Sequence, residues 1–162
     1  MLPFDAGSVA VDTNVIIYAL DRDTTSQKSP VARHILRRAG RFPIRIPLQV
    51  VAESFSVLTK RYTWTTDAAR AAISQLLTGL PHVATTAEST RAAMELCTNH
   101  HVAFWDALLV TAAAAGGCGA ILSEDFQDRR RFDPPDVARR IVIVDPFNDA
   151  NREILQALGA FE

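Results

Sequence analysis

Sulfur chemistry has little to work with in this chain. Cys97 and Cys118 stand alone, with no CxxC pair and no Cys/His ligand spacing, which excludes a zinc finger or a disulfide scaffold and leaves two reduced, small, partly buried side chains. Long apolar runs are also missing. None approaches the ~18 residues of a membrane span. The start, "MLPFDAGSVAVDTN", has no positive region and its apolar run is broken by Asp12, so no secretory signal is expected. A soluble, cytoplasmic protein with no membrane contact follows. A net charge of −1 supplies no general positive field, so any nucleic-acid binding must rest on local basic clusters or on metal ions. No glycine-rich phosphate loop, internal repeat, linker or low-complexity tract is present. What is there is ordinary: 162 residues, 48% hydrophobic and 22% charged, enough for a single domain over 1–162 with a real core.

Short apolar runs alternate with amphipathic ones. "SVAV", "FPIRI", "HVATT", "GAILSED" and "IVIVDPF" read as strands. "NVIIYAL" begins a helix, and the polar "DRDTTSQKSP" is a loop. "SPVARHILRRAG" is a helix with Pro30 in its first turn and Gly40 as its cap. "PLQVVAESFSVLTKRY" opens a helix at Pro47, and "TTDAARAAISQLLTGL" ends one at Gly79 and Pro81. "TAESTRAAMELCTNH" starts with a Thr-x-x-Ser cap, and paired glycines stop "AFWDALLVTAAAAGG". "FQDRRRFDPPDVARR" reads as an irregular, basic surface segment, and "DANREILQALGA" as the last helix. The alternation predicts an α/β fold with a mainly parallel central sheet.

Four acids fall at element ends or apolar borders. Asp12 sits in "AVDTNVIIYAL", apolar enough to bury it, where an unpaired carboxylate costs several kcal/mol or takes up a proton. Asp125 closes the "AILS" strand. In parallel sheets ligands collect beyond the carboxyl ends of strands. Glu53 lies between Val50 and Val57, at the edge of a helical apolar stripe. Asp106 is in the first turn of its helix, stacked with Val102, Leu109 and Val110, and is expected to point toward the core side. Each has a bland explanation: dipole stabilisation for Asp106, a turn for Asp125, a cap for Asp12, reach toward water beside Lys60 or Arg61 for Glu53. Were they to converge, they would repel one another unless a cation lay among them. An all-oxygen set suits Mg²⁺ or Mn²⁺ rather than Zn²⁺.

"VDTNVIIYAL", "VVAESFSVL", "FWDALLVTAAAAGGCG" and "ILSEDFQD" followed by "IVIVDPF" resemble PIN-domain ribonucleases, most of all the VapC-type toxins of type II toxin–antitoxin pairs. The resemblance spans Val11 to Phe147. It implies a three-layer α/β/α sandwich and a metal-dependent endoribonuclease, with a cognate antitoxin that suppresses cleavage and a homodimer as its assembly. By position, it makes Asp12, Glu53, Asp106 and Asp125 the catalytic, metal-binding acids, holding one or two Mg²⁺ or Mn²⁺ ions. Asp12 and Asp106 are expected as direct ligands, and Glu53 and Asp125 directly or through water. Thr13, Asn14 and Ser123 fall where supporting polar residues stand. Glu124 competes with Asp125 but should point the other way. The sequence departs from the family pattern in its arginine-rich "SEDFQDRRRFDPPDVARR" and in Asp145, which replaces an asparagine.

The hypothesis is hydrolysis of an RNA phosphodiester by metal-activated water. Arg129, Arg130 and Arg131 are candidates for binding its phosphates, as are Arg37, Arg38 and Arg41, although charge runs usually are solvated surface. His100 and His101 read as a solvated loop. Phe104 and Trp105 are expected to pack their helix on the sheet, with stacking of Trp105 on a base or on an antitoxin side chain the alternative. Tyr62 and Trp64 lie at a helix-to-helix turn that could make an apolar dimer or antitoxin contact, and the alanine-rich helices 65–79 and 87–98 are an obvious partner or dimer surface, although core packing accounts for alanine equally well. Two rivals remain: a partner-binding protein with an inert nuclease fold, and a haloacid-dehalogenase-like phosphohydrolase, which would need an acid where Asn14 stands.

Overall fold

A computed structural model describes residues 7–22, 25–39, 43–137 and 139–159. Strand β1 (Ser8–Val11) buries Val9, Ala10 and Val11 completely. The chain turns at Asp12, extended at φ −88° and ψ 168°, whose carboxylate accepts from Thr13 N and so caps α1 (Thr13–Leu20). Helix α2 (Lys28–Arg37) carries Pro30 in its first turn, and Gly40, the expected cap, lies outside the described residues. Strand β2 (Ile44–Pro47) passes straight into α3 (Leu48–Lys60), because Pro47 stays extended and ends the strand as the helix N-cap. Helix α4 (Thr66–Gly79) starts on the Thr65 cap and leads to β3 (His82–Val83).

Helix α5 (Ala87–His100) begins with the expected cap, a reciprocal box between Thr86 and Ser89. It ends at His101, in the left-handed region at φ 51°. Helix α6 (Phe104–Ala115) is buried from Ala107 through Ala114, which accounts for its alanines: small side chains let neighbours close on every side. At its end Gly116 meets Val83, where an added Cβ would lie 2.5 Å from both valine methyls. Strand β4 (Cys118–Leu122) follows, fully buried.

The arginine-rich segment is not wholly irregular. It contains β5 (Arg131–Phe132), which pairs antiparallel with β6 (Ile141–Val144). Phe132 drives this: it is 1% exposed and packs edge-on against Phe126, an apolar anchor in a basic stretch. The expected last helix begins as a 3-10 turn, Asp149–Asn151, before α7 (Arg152–Ala157).

The six strands are ordered β3-β2-β1-β4-β6-β5, parallel except for β5, and with the flanking helices they form a three-layer α/β/α sandwich. The chain grows outward from β1 through β2 to β3, then returns to place β4 on the other side of β1. The switch in order therefore falls between β1 and β4, and a crevice opens beyond their carboxyl ends. Asp12 N donates to Leu122 O there at 3.0 Å. Among the described residues no helix is long and apolar enough to cross a membrane.

Candidate active site

The crevice is built on Asp12, which is 7% exposed. Its Oδ1 accepts from Thr13 N at 2.6 Å and its Oδ2 from the fully buried Ser123 hydroxyl at 2.6 Å. Ser123 follows β4 directly, and its oxygen also accepts from Asp125 N at 3.2 Å and Asn14 Nδ2 at 3.3 Å. Asn14 Nδ2 further donates to Asp125 Oδ2 at 3.1 Å. Asp125 itself lies past the end of β4, in the turn that follows, and is exposed. Thr13, Asn14 and Ser123 thus each touch an acid.

Glu53, half-buried on α3, completes the opposite wall. Thr13 Oγ1 donates to its Oε2 at 2.8 Å and Gln49 Nε2 to its Oε1 at 2.8 Å. Gln49 Nε2 also donates to Trp105 O at 3.0 Å, tying α3 to the first turn of α6. Asp106 follows Trp105. Contrary to the core-side expectation, Asp106 is exposed: the buried part of α6 begins at Ala107. Trp105, expected to pack on the sheet, is 62% exposed, while Phe104 does pack against the core. Asp12, Glu53, Asp106 and Asp125 all line one cavity of about 760 Å³, together with Gln49 and Trp105 among others.

Electrostatics here are unfavourable for an isolated carboxylate cluster. Burial pushes the Asp12 carboxyl up to about 6; hydrogen bonds from Ser123 and Thr13 pull it back, and the charges of Asp125 and Glu53 raise it again. Asp106, exposed but partly desolvated by the cavity wall, is raised by that desolvation, then by Asp125 and Glu53, and lowered by Arg130. Among the described residues no group of three or more His, Cys, Asp or Glu side chains is placed to hold a metal ion together; the four acids share only the lining of one cavity. Their chemistry is that of a hard divalent ion's ligands, one or two carboxylates with waters making up the rest. The donors are all oxygen, and Asn14 Oδ1 is buried without a hydrogen-bond partner beside them.

The arginines divide. Arg129 Nη2 donates to Ala150 O at 3.2 Å and its Nε lies 3.7 Å from Asp128. Arg130 donates to His100 O, stacks over Phe132 at 4.7 Å, and is the cation whose charge reaches Asp106. Arg131 is exposed on β5. Arg37 ends α2, exposed, and Arg38 donates to Gly159 O; neither lines the cavity, and Arg41 lies outside the described residues. His100 and His101 belong to the end of α5 rather than a loop, and neither lines the cavity.

Glu124 turns away from Asp125, as expected. It forms an ion pair with Lys28 and accepts from the Tyr18 hydroxyl at 2.6 Å, so α1 and α2 clamp the turn that presents Asp125. The sequence reading missed this clamp, and it missed Gln49. A lysine 96 positions away and a glutamine inside an apolar helix carry no local signal.

The site defines a class first: an α/β protein with a carboxylate-lined crevice at the switch point of a mainly parallel sheet. The chain belongs to the PIN domain family, whose model matches residues 9–132. Its structure is similar to Mycobacterium tuberculosis VapC20, a Sarcin-Ricin loop cleaving toxin, with a TM-score of 0.57 and 21% identity over 70% of this chain and 87% of that one. It is also similar to VapBC2 from Rickettsia felis bound to a promoter DNA fragment (TM-score 0.55, 19% identity, 71% and 86% covered). A toxin–antitoxin complex from Klebsiella pneumoniae scores 0.58 at 15% identity, with 87% and 99% covered. No curated protein matches by sequence. At these identities the likeness is one of fold.

Proposed function

We propose that this protein is a metal-dependent endoribonuclease, acting in the cytoplasm as the toxin of a toxin–antitoxin pair. The observation that carries the reading is that Asp12, Glu53, Asp106 and Asp125, from four separate stretches of chain, line a single cavity at the sheet's switch point. Membership of the PIN domain family and the fold shared with toxin–antitoxin proteins support it.

These four acids would hold one or two Mg²⁺ or Mn²⁺ ions, Asp12 and Asp106 directly and Glu53 and Asp125 directly or through water. When bound, the metal supplies charge neutralisation at the scissile phosphate and a water of lowered pKa. The protein's own share is positional. Ser123 and Thr13 N fix both oxygens of Asp12, Thr13 and Gln49 fix Glu53, and Asn14 fixes Asp125. Groups held this way keep carboxylates in one orientation as charge builds on the substrate. The partners in this reading are RNA, a cognate antitoxin that suppresses cleavage, and a second copy of the chain.

The test is digestion of structured RNA and of DNA, with and without Mg²⁺ or Mn²⁺, with mapping of the cut ends. Metal-dependent RNA cleavage that Asp106→Asn abolishes is the expected result. Cleavage indifferent to Asp106→Asn and to chelation, or none under any condition, rejects the reading in favour of an inert partner-binding fold. Cleavage of DNA alone reassigns the substrate.

A further inference from the structure

Glu53 opens onto a second depression. A cavity of about 390 Å³ is lined by Thr13, Glu53, Ser56, Val57, Lys60 and Arg61, and the first three of these also line the acidic cavity. The two form one groove with α3 as common wall. Glu53, Ser56, Val57 and Lys60 follow at three- and four-residue steps along one stripe of that helix. Glu53 to Lys60 is two turns, about 10 Å along the axis. Over that distance the groove changes sign, from carboxylates to two cations.

Lys60 and Arg61 are both exposed, and neither has an ion pair or side-chain hydrogen bond among the described residues. On the other rim stands Trp105, 62% exposed beside Asp106, its backbone held by Gln49. In the arginine run, Arg129 is engaged by Asp128 and Ala150 and Arg130 by His100 and Phe132, while the exposed Arg131 lines neither cavity.

We propose that this groove seats a single-stranded RNA segment, with a base stacked on Trp105, the scissile phosphate at the acids and a neighbouring phosphate held by Lys60 and Arg61. This deepens the nuclease reading and rests on it. An exposed indole is a stacking platform indifferent to base identity, and a base in a duplex cannot present its face to it. Two unpaired cations one or two nucleotides away offset the repulsion that the acidic centre exerts on a polyanion.

Binding is tested on the full chain carrying Asp106→Asn, in Mg²⁺, with a short unstructured fluorescein-labelled oligoribonucleotide and an RNA hairpin duplex, by anisotropy across a KCl series. Lys60→Ala/Arg61→Ala is expected to lower the slope of log Kd against log salt by about 0.7, the value for one phosphate on a single strand. Lys60→Arg keeps it. Trp105→Ala weakens binding of the single strand by about 5- to 150-fold, leaves the slope unchanged and does not weaken the duplex. All these positions are exposed, so thermal melting serves as the folding control, with Lys60→Gln/Arg61→Gln as a second charge-removing pair. An unchanged slope in both pairs overturns the phosphate site, and unchanged affinity in Trp105→Ala overturns the stacking site. If the wild type still cleaves RNA in either case, the nuclease reading stands. A protein that neither binds nor cuts RNA overturns both.

Discussion

The Ser123 hydroxyl donates to Asp12 Oδ2 at 2.6 Å, joining residues 111 positions apart across the switch between β1 and β4. Both are buried, so the bond has no water to replace it. Ser123→Ala leaves a carboxylate oxygen unsatisfied, an expected loss of about 1–3 kcal/mol. Urea denaturation at pH 7 and pH 4.5 checks the cause: the loss should be larger at pH 7, where Asp12 is charged.

The raised Asp12 sets a sign for stability against pH. Its folded value of about 6 exceeds the ordinary 3.8, so between these values the folded state holds the proton more tightly than the unfolded one. This contribution is present below about 4 and is lost as pH rises through 6. It amounts to about 3 kcal/mol for a shift of roughly two units. Without divalent ions, Tm should rise as pH falls from 7 toward 5. With Mn²⁺ the dependence should flatten, and Tm at pH 7 should rise by linkage. Asp12→Asn should stabilise the metal-free protein at pH 7 and abolish the Mn²⁺ response.

Gln49 bridges Glu53 and the Trp105 carbonyl. Gln49→Ala should lower metal affinity or RNA cleavage by about 10- to 100-fold, the usual cost of losing an orienting partner, with little change in denaturation midpoint. Isothermal titration with Mn²⁺ alongside urea melts separates these effects.

Lys28→Met removes the charge that holds Glu124. The pair is partly exposed, so its stability cost should not exceed about 1 kcal/mol. The turn carrying Asp125 would loosen, and the expected signature is a larger loss of cleavage than of stability. Equal losses in both would mean that the clamp does not position Asp125.

Gly116→Ala forces a methyl into the Val83 side chain. Overpacking of this kind costs about 1–3 kcal/mol. Val83→Ala should recover part of it, a coupling that a double-mutant cycle in urea measures directly.

Fold class was readable from the alternation of runs such as "SVAV" and "AFWDALLVTAAAAGG", because buried strands and helices are written in periodicity. The Thr86–Ser89 cap and the strand-end place of Asp12 were equally plain, being local. What escaped was what depends on distant partners. β5 is two residues long, and only the burial of Phe132 distinguishes it from its arginine neighbours. Trp105 reads as core by hydrophobicity, yet it stands in the first turn of α6, ahead of the buried run that begins at Ala107, and lies in water. The roles of Gln49 and of the Lys28–Glu124–Tyr18 clamp arise from side chains meeting across elements, which no spacing along the chain encodes.

The strand order has a consequence for biogenesis. β1 leaves the ribosome first, but its inner neighbour β4 comes last but two among the strands, so Asp12 gains Ser123 and Asp125 only after most of the chain has emerged. A nascent polypeptide still ending before residue 118 lacks the central strand that completes the crevice. The crevice that the four acids share therefore forms only after residue 125 has been added.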